Sequence, residues 1–338
     1  MWWIMENRRE YFNRSKLVLN RVKKLIFLSE SQSKQWLAWC EEENIHLNSE
    51  PALVPLSVND ELAFVAGIPC SLNTPSFTTE NMLEKRQALR STVRKEMGLT
   101  DDDMLVISLS SINPWKGALL QNRIIGGGSS EGSTFHAGTK YISSPRIFTN
   151  KGTVGPLRSD IDASMRKLLS ESKGKKDQNL KILIGSVGSK SNKVPYVKAL
   201  LTYLSTHSNL SKSVLWTPAT TRVASLYAAA DVYAMNSQGV GETFGRVTIE
   251  AMAFGLPVLG TDSGGTREIV EHNVTGLLHP LGRPGAKVLA RNLEFLLQNP
   301  SARQEMGERG REKVQNLYLK KHMFQKFGEV LYKCMRIK

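Results

Sequence analysis

The sequence predicts an α/β fold built on a doubly wound parallel sheet. Short apolar runs alternate with longer amphipathic segments over most of the chain, the order of repeated βαβ units. The runs are apolar almost throughout, as in MLVISL (Met104 to Leu109) and KILI (Lys181 to Ile184), which is how strands read when both sheet faces are covered. Glycine- and serine-rich loops follow several runs directly, at the strand ends where open α/β sheets bind ligands.

In chain order, Glu6 to Asn20 is expected to be a charged helix, Lys24 to Leu28 a buried strand, Ser31 to Glu43 a helix and Ala52 to Leu56 a short strand. Thr79 to Met97 is a charged amphipathic helix. Strands are then expected at 104–109, 181–184, 214–216, 231–236, 257–260 and 277–278. Helices fall between them at 196–205, 222–229, 243–254 and 266–271. Further helices are expected over 284–298 and 301–319, then a tail to Lys338. Gly126-Gly-Gly-Ser-Ser, Glu131-Gly-Ser and Lys173-Gly-Lys-Lys carry no periodicity, so 118–178 is expected as a flexible insertion, with a helix near 160–170.

The 338 residues support two domains. The expected division is 1–75 as the end of a first Rossmann-like domain, 76–103 as a linker helix and 104–338 as a second domain. A full Rossmann-like domain is about twice the length of the first piece, so the first is expected to be a remnant. Its face bearing Trp36, Trp39, Leu25 and Phe27 is expected to be exposed and to favour self-association or a partner chain.

The most informative segment is Glu242-Thr-Phe-Gly-Arg-Val-Thr-Ile-Glu250. A helix from Thr243 or Phe244 to Phe254 ends at Gly255, with Pro257 beyond it. Glu242 then sits at the helix mouth and Glu250 about two turns in. The N–H groups of Phe244, Gly245 and Arg246 would crown the helix N-terminus, an end that attracts phosphate. Gly245 also has a plainer reading, as the residue that lets the turn form. The two carboxylates suit sugar and ribose hydroxyls. A phosphate flanked by two hydroxyl-rich groups describes a nucleotide-sugar. A glutamate pair at this spacing is also common on solvated helix faces, so the surrounding residues decide.

Gly241 to Leu278, GETFGRVTIEAMAFGLPVLGTDSGGTREIVEHNVTGLL, resembles the donor-binding segment of family 4 glycosyltransferases. The likeness covers the glutamate pair, Ala-Met-Ala-x-Gly-x-Pro-Val, the Gly264-Gly265 loop and the Glu-Ile-Val helix. It extends more weakly from Leu25 to Lys338 and points to a plant-type UDP-glycosyltransferase-like, N-terminally truncated member. The resemblance implies the GT-B fold, two Rossmann-like domains around a cleft, and retaining transfer of a hexosyl group from a UDP- or GDP-linked sugar with no obligatory metal or other cofactor. It implies that Glu242 faces the donor sugar, that Glu250 binds the ribose, and that Lys116 contacts the diphosphate. The arginine expected five residues before that lysine is Ser111 here. Serine donates one hydrogen bond but no charge, which weakens leaving-group stabilisation; Arg246 is a candidate to compensate, or a solvent-facing residue. Gly264 and Gly265 either allow close approach of donor or tighten a turn, the latter being favoured. A nucleotide-binding or protein-interaction module without transfer is the alternative.

The net charge of +14 is spread rather than clustered, and no nucleic-acid motif accompanies it. Cys40, Cys70 and Cys334 have neither disulfide-scaffold nor zinc spacing, and the six histidines form no metal pair. No apolar run reaches transmembrane length. Met1-Trp-Trp-Ile-Met is too short for a signal peptide and leads into Glu6, Arg8 and Arg9. Sugar, base, acceptor and compartment are not specified by these residues.

Overall fold

The structure, a computed structural model, describes residues 1–73, 78–109, 180–185, 190–206, 211–217, 222–238 and 242–336. Two parallel sheets organise it. The first is β1 (Trp2–Trp3), β2 (Leu25–Phe27) and β3 (Ala52–Leu53), with Trp2 beside Leu25 and Ile26 beside Ala52. The second has β4 (Met104–Ser108), β5 (Leu180–Gly185), β6 (Val214–Thr217), β7 (Val232–Ala234), β8 (Val258–Thr261) and β9 (Gly276–His279), in the order β6-β5-β4-β7-β8-β9. Numbered within that sheet, the order is 3-2-1-4-5-6, doubly wound as the alternating runs predict.

The strands are apolar throughout because two layers cover them. In β4, Leu105 and Ile107 enter the core that holds Tyr233, Ile249 and Phe254, while Met104 and Val106 enter the core that holds Leu259, Leu289 and Leu293. That is the two-residue period of a strand dividing one segment between two faces.

The first sheet is also covered on both faces. Helix α1 (Arg9–Ser15), the 3-10 turn Lys16–Arg21 and helix α2 (Glu30–Glu42) surround Phe12, Leu25, Phe27, Trp36 and Trp39. Trp36 is 2% exposed, and Phe12 meets it edge-on at 5.4 Å. The face expected to be open is therefore closed. Leu25, Phe27, Trp36 and Trp39 are all buried, because α1 and the 3-10 turn supply the cover, so these four residues offer no basis for self-association.

The opposite face takes its cover from the end of the chain. The expected tail is a helix, here α11 (Lys320–Arg336), whose Val330 and Cys334 pack on Ile26 and Val54. Phe327 stacks on Trp3 at 5.3 Å. β1 and the short α3 (Asp60–Val65) also escaped the sequence reading.

The segment expected as a linker is helix α4 (Thr79–Glu96), and it is bound tightly to the second sheet. Arg90 and Arg94 both reach Asp231, at 2.5 and 3.0 Å, and Asp231 Oδ2 also accepts from Leu105 N at 2.7 Å. Arg94 Nη2 donates to the carbonyls of Thr100 and Asp103. The remaining helices are α5 (Lys190–Ser205), α6 (Val223–Ala229), α7 (Arg246–Ala253), α8 (Gly264–Ile269), α9 (Arg283–Gln298) and α10 (Pro300–Leu317). The expected insertion 118–178, including the helix near 160–170, lies outside the described residues.

Candidate functional site

A doubly wound sheet binds ligands where its strand order reverses, beyond the carboxyl ends of the two central strands. Here those strands are β4 and β7, which pair through Val106–Val232 and Ile107–Tyr233. β4 leads into Ser108, and β7 leads through Met235 and Asn236 towards Glu242 and α7. Ser111 and Lys116 lie outside the described residues.

Helix α7 begins at Arg246, later than the sequence reading placed it. The reason is Gly245, the N-cap residue, at φ +105°. Such a φ is strained for a residue with a Cβ, and a Cβ there would also press on Ile269 and Thr248 at 3.2 Å. Gly245 therefore shapes the turn. The first helical N–H groups belong to Arg246 and Val247, since Thr248 N already donates to Gly245 O at 2.9 Å. Of the expected crown, only the Arg246 N–H belongs to the helix. The Phe244 side chain is buried, edge-on to Tyr318 at 6.1 Å.

Glu250 is 6% exposed, with both carboxylate oxygens engaged. Arg246 Nε donates to Oε1 at 3.1 Å, and the Tyr227 hydroxyl of α6 donates to Oε2 at 3.2 Å. Burial raises the Glu250 pKa, while Arg246 and Tyr227 oppose the rise. The Arg246 side chain is 61% exposed and spans one helical turn to its partner. Tyr233, in the middle of β7, is fully buried, and its hydroxyl has no partner among the described residues. Burial first, then the charges of Glu242 and Glu250, push its pKa well up. The charges of both glutamates thus act on one buried phenol of a central strand.

Gly264 and Gly265 hold the segment that carries Glu242. Glu242 and Gly264 form a parallel bridge, and Gly265 N donates to Glu242 O at 2.7 Å. A Cβ on Gly264 would lie 2.5 Å from Glu242 O, and one on Gly265 would lie 2.1 Å from Phe244 O. These contacts make the pair a backbone-to-backbone seat. Behind it, Asn236 Oδ1 accepts from Gln238 Nε2 at 2.6 Å and from His279 Nε2 at 3.1 Å. Burial lowers the His279 pKa to about 4, so the imidazole is neutral, with its proton placed on Nε2 by the acceptor it faces. Tyr227, Tyr233, Asn236 and His279 went unnoticed in the sequence. Tyr227 lies 23 positions from Glu250, and no local pattern links the two.

Among the described residues, no group of His, Cys, Asp and Glu is placed to hold a metal ion, and no helix is long and apolar enough to cross a membrane.

Two family models match the chain. Residues 1–71 match Glycosyl-transferase family 4, and residues 164–313 match Glycosyl transferases group 1. The Anabaena protein HepE, solved in complex with UDP, superposes with a TM-score of 0.66 at 18% identity, over 98% of this chain and 71% of that one. The chain has the GT-B fold. A glycosyltransferase from Rickettsia africae superposes with a TM-score of 0.65 at 17% identity, over 100% of this chain and 69% of that one. At these identities the superpositions show the fold. In sequence, N-acetyl-alpha-D-glucosaminyl L-malate synthase of Bacillus anthracis is 33% identical over 114 residues, 34% of this chain and 29% of the relative. A GDP-mannose-dependent alpha-(1-6)-phosphatidylinositol monomannoside mannosyltransferase of Mycobacterium tuberculosis is 41% identical over 101 residues, 28% of this chain and 26% of the relative. The chain thus spans under a third of the length of these two relatives. Such bacterial relatives support neither the plant-type likeness nor the N-terminal truncation expected from the sequence. The group 1 match begins at residue 164, inside the stretch expected as an insertion.

Proposed function

We propose that the chain binds a nucleotide-sugar and transfers its hexosyl group, with retention, to an acceptor hydroxyl. The bond from the anomeric carbon to the diphosphate breaks, and a bond to the acceptor oxygen forms. The acceptor proton leaves with the nucleoside diphosphate or to solvent. The observation that carries the reading is the placement of Glu242 and Glu250 beside the reversal point of the second sheet, on either side of a helix N-terminus. Glu250 is assigned to the ribose and Glu242 to the donor sugar. The N-terminus of α7, with the N–H groups of Arg246 and Val247, is assigned to the diphosphate. Lys116 is assigned to charge on the leaving group, where an ammonium favours departure. UDP-linked and GDP-linked sugars are the two donor classes, since HepE is solved with UDP and the mycobacterial relative is GDP-mannose-dependent.

A second reading, nucleotide binding without transfer, is favoured by Ser111 standing where the family pattern has an arginine. Titration calorimetry with UDP, GDP and their glucose and mannose conjugates tests the donor site. A turnover assay with the donor that binds, over a panel of acceptor alcohols and glycosides, separates the readings. Binding with turnover supports transfer, binding alone supports the second reading, and no binding of any nucleotide removes both.

A further inference from the structure

The first unit reaches the donor segment through two contacts that neither the family models nor the proposed chemistry assigns. Ser29 closes β2 and is the N-cap of α2, where its Oγ accepts from Gln32 N at 3.2 Å. The same hydroxyl donates to Thr243 O at 2.6 Å, across 214 positions of sequence. Thr243 directly follows Glu242. Beside this contact, the Glu268 carboxylate of α8 accepts from Glu30 N at 2.9 Å, Ser31 N at 2.7 Å and Ser31 Oγ at 2.5 Å. An anion there satisfies the free N–H groups of α2 and complements its dipole.

The two contacts share one mechanical target. Glu268 lies three residues beyond Gly265, whose N–H holds Glu242 O. The Glu242–Phe244 strap is therefore held by Gly264 and Gly265 on Glu242 and by Ser29, the N-cap of α2, on Thr243 O. Ser29 follows the carboxyl end of β2, and Glu242 lies beyond the carboxyl end of β7. Segments that follow the carboxyl ends of strands in the two parallel sheets meet at this hydroxyl.

We propose that Ser29 is a positioning residue for the donor site: through the Thr243 carbonyl it sets the place of Glu242, with Glu268 holding the first unit in register. The proposal rests on the donor site described above. Glu250 lies on α7, outside the strap itself, so loss of the contact should disturb recognition of the sugar more than recognition of the nucleotide.

The capping role and the positioning role of Ser29 separate by substitution. Ser29→Thr keeps both the acceptor and the donor. Ser29→Asp keeps an acceptor for Gln32 N, as good N-caps do, but has no proton to give Thr243 O. Ser29→Ala loses both. Affinities for UDP-glucose and UDP, or for the GDP pair if that is the donor class, are measured by calorimetry alongside the melting temperature. The expected result is a loss of about five- to tenfold for the sugar conjugate in Ser29→Ala and Ser29→Asp, the share of one hydrogen bond. Affinity for the nucleoside diphosphate should hold within about twofold, and Ser29→Thr should match the parent. If Ser29→Asp and the parent discriminate equally, Ser29 is a helix cap and the proposal falls. Should Ser29→Asp fail to fold, Glu268→Ala, whose contacts are at the surface, reads the same ratio with the same two outcomes. If the parent binds no nucleotide, the donor site itself is wrong, and amide exchange then decides the positioning claim. Faster exchange at Thr243 to Arg246 in the variant than in the parent supports it, and equal exchange overturns it.

Discussion

Glu250 is held from two sides, so its replacement affects the fold as well as the ligand. Glu250→Ala should weaken nucleoside-diphosphate binding by about 1–3 kcal/mol, the share of charge-assisted hydrogen bonds. It also leaves the buried Tyr227 hydroxyl without its acceptor, so melting temperature should fall too. Equal nucleotide affinity in variant and parent, by calorimetry, would remove the ribose assignment. Lys116→Ala should weaken binding of a nucleoside diphosphate more than that of the nucleoside, because only the former carries the charge; equal losses would rule out a phosphate contact. His279 gives a pH signature. Its folded pKa of about 4 lies below the unfolded value, so between those limits the unfolded chain binds the extra proton. Stability from this group is complete above pH about 6.5 and declines towards pH 4 by at most roughly 3 kcal/mol. Denaturant unfolding of parent and His279→Gln across that range should converge as pH falls. Parallel curves would mean that His279 does not titrate in this window.

At the scale of elements, helix α7 owes its placement to both ends. Its mouth is shaped by Gly245 and braced by Gly264 and Gly265. Its last carbonyls, Ala253 O and Phe254 O, accept from Arg311 and Arg86. Arg86 also donates to Ala66 O, and burial, then the charges of Arg311 and Arg90, lower its pKa to about 10. Cations at a helix C-terminus complement its dipole. Helix α4 is fixed through the Arg90–Asp231–Arg94 group, in which Arg94 is buried and Arg90 and Asp231 are half-buried. Asp231→Ala strands two cations and should cost about 3–5 kcal/mol in urea unfolding. The exposed Arg309–Glu305 pair one helical turn apart should cost under about 1 kcal/mol when broken. If the two losses are similar, α4 is not clamped by that group.

At the scale of the molecule, the chain's end completes its beginning. Phe327, Val330 and Cys334 of α11 close the sheet face formed by Trp3, Ile26 and Val54. Phe327→Ala removes the stack on Trp3 and should cost roughly 1–3 kcal/mol, read as faster amide exchange in β2 while β4 and β7 stay protected. Uniform exchange across both sheets would show that the two units unfold as one. With the Ser29 and Glu268 contacts and the burial of Leu28 in the core of the second sheet, α11 ties the first sheet to the rest of the chain.

The sequence by itself determined the α/β class, the second sheet and the glutamate pair, because each is local. Apolar runs such as MLVISL state their own burial, and Gly255 with Pro257 states where a helix must stop. Gly245 is local too, but its left-handed φ moved the helix start to Arg246, a shift that no apolar period records. Only the tertiary structure decided the partners. Tyr227 meets Glu250, Ser29 meets Thr243, Asp231 gathers two arginines of α4, and α11 returns to β2. These contacts join residues tens to hundreds of positions apart, and their side chains carry no mark of the partner they will find. Burial of Trp36 and Trp39 was misjudged for the same reason: an aromatic face reads alike whether water or another helix covers it. Here α1 and the 3-10 turn cover it, because leaving those rings in water would forfeit the free energy that holds so small a sheet together.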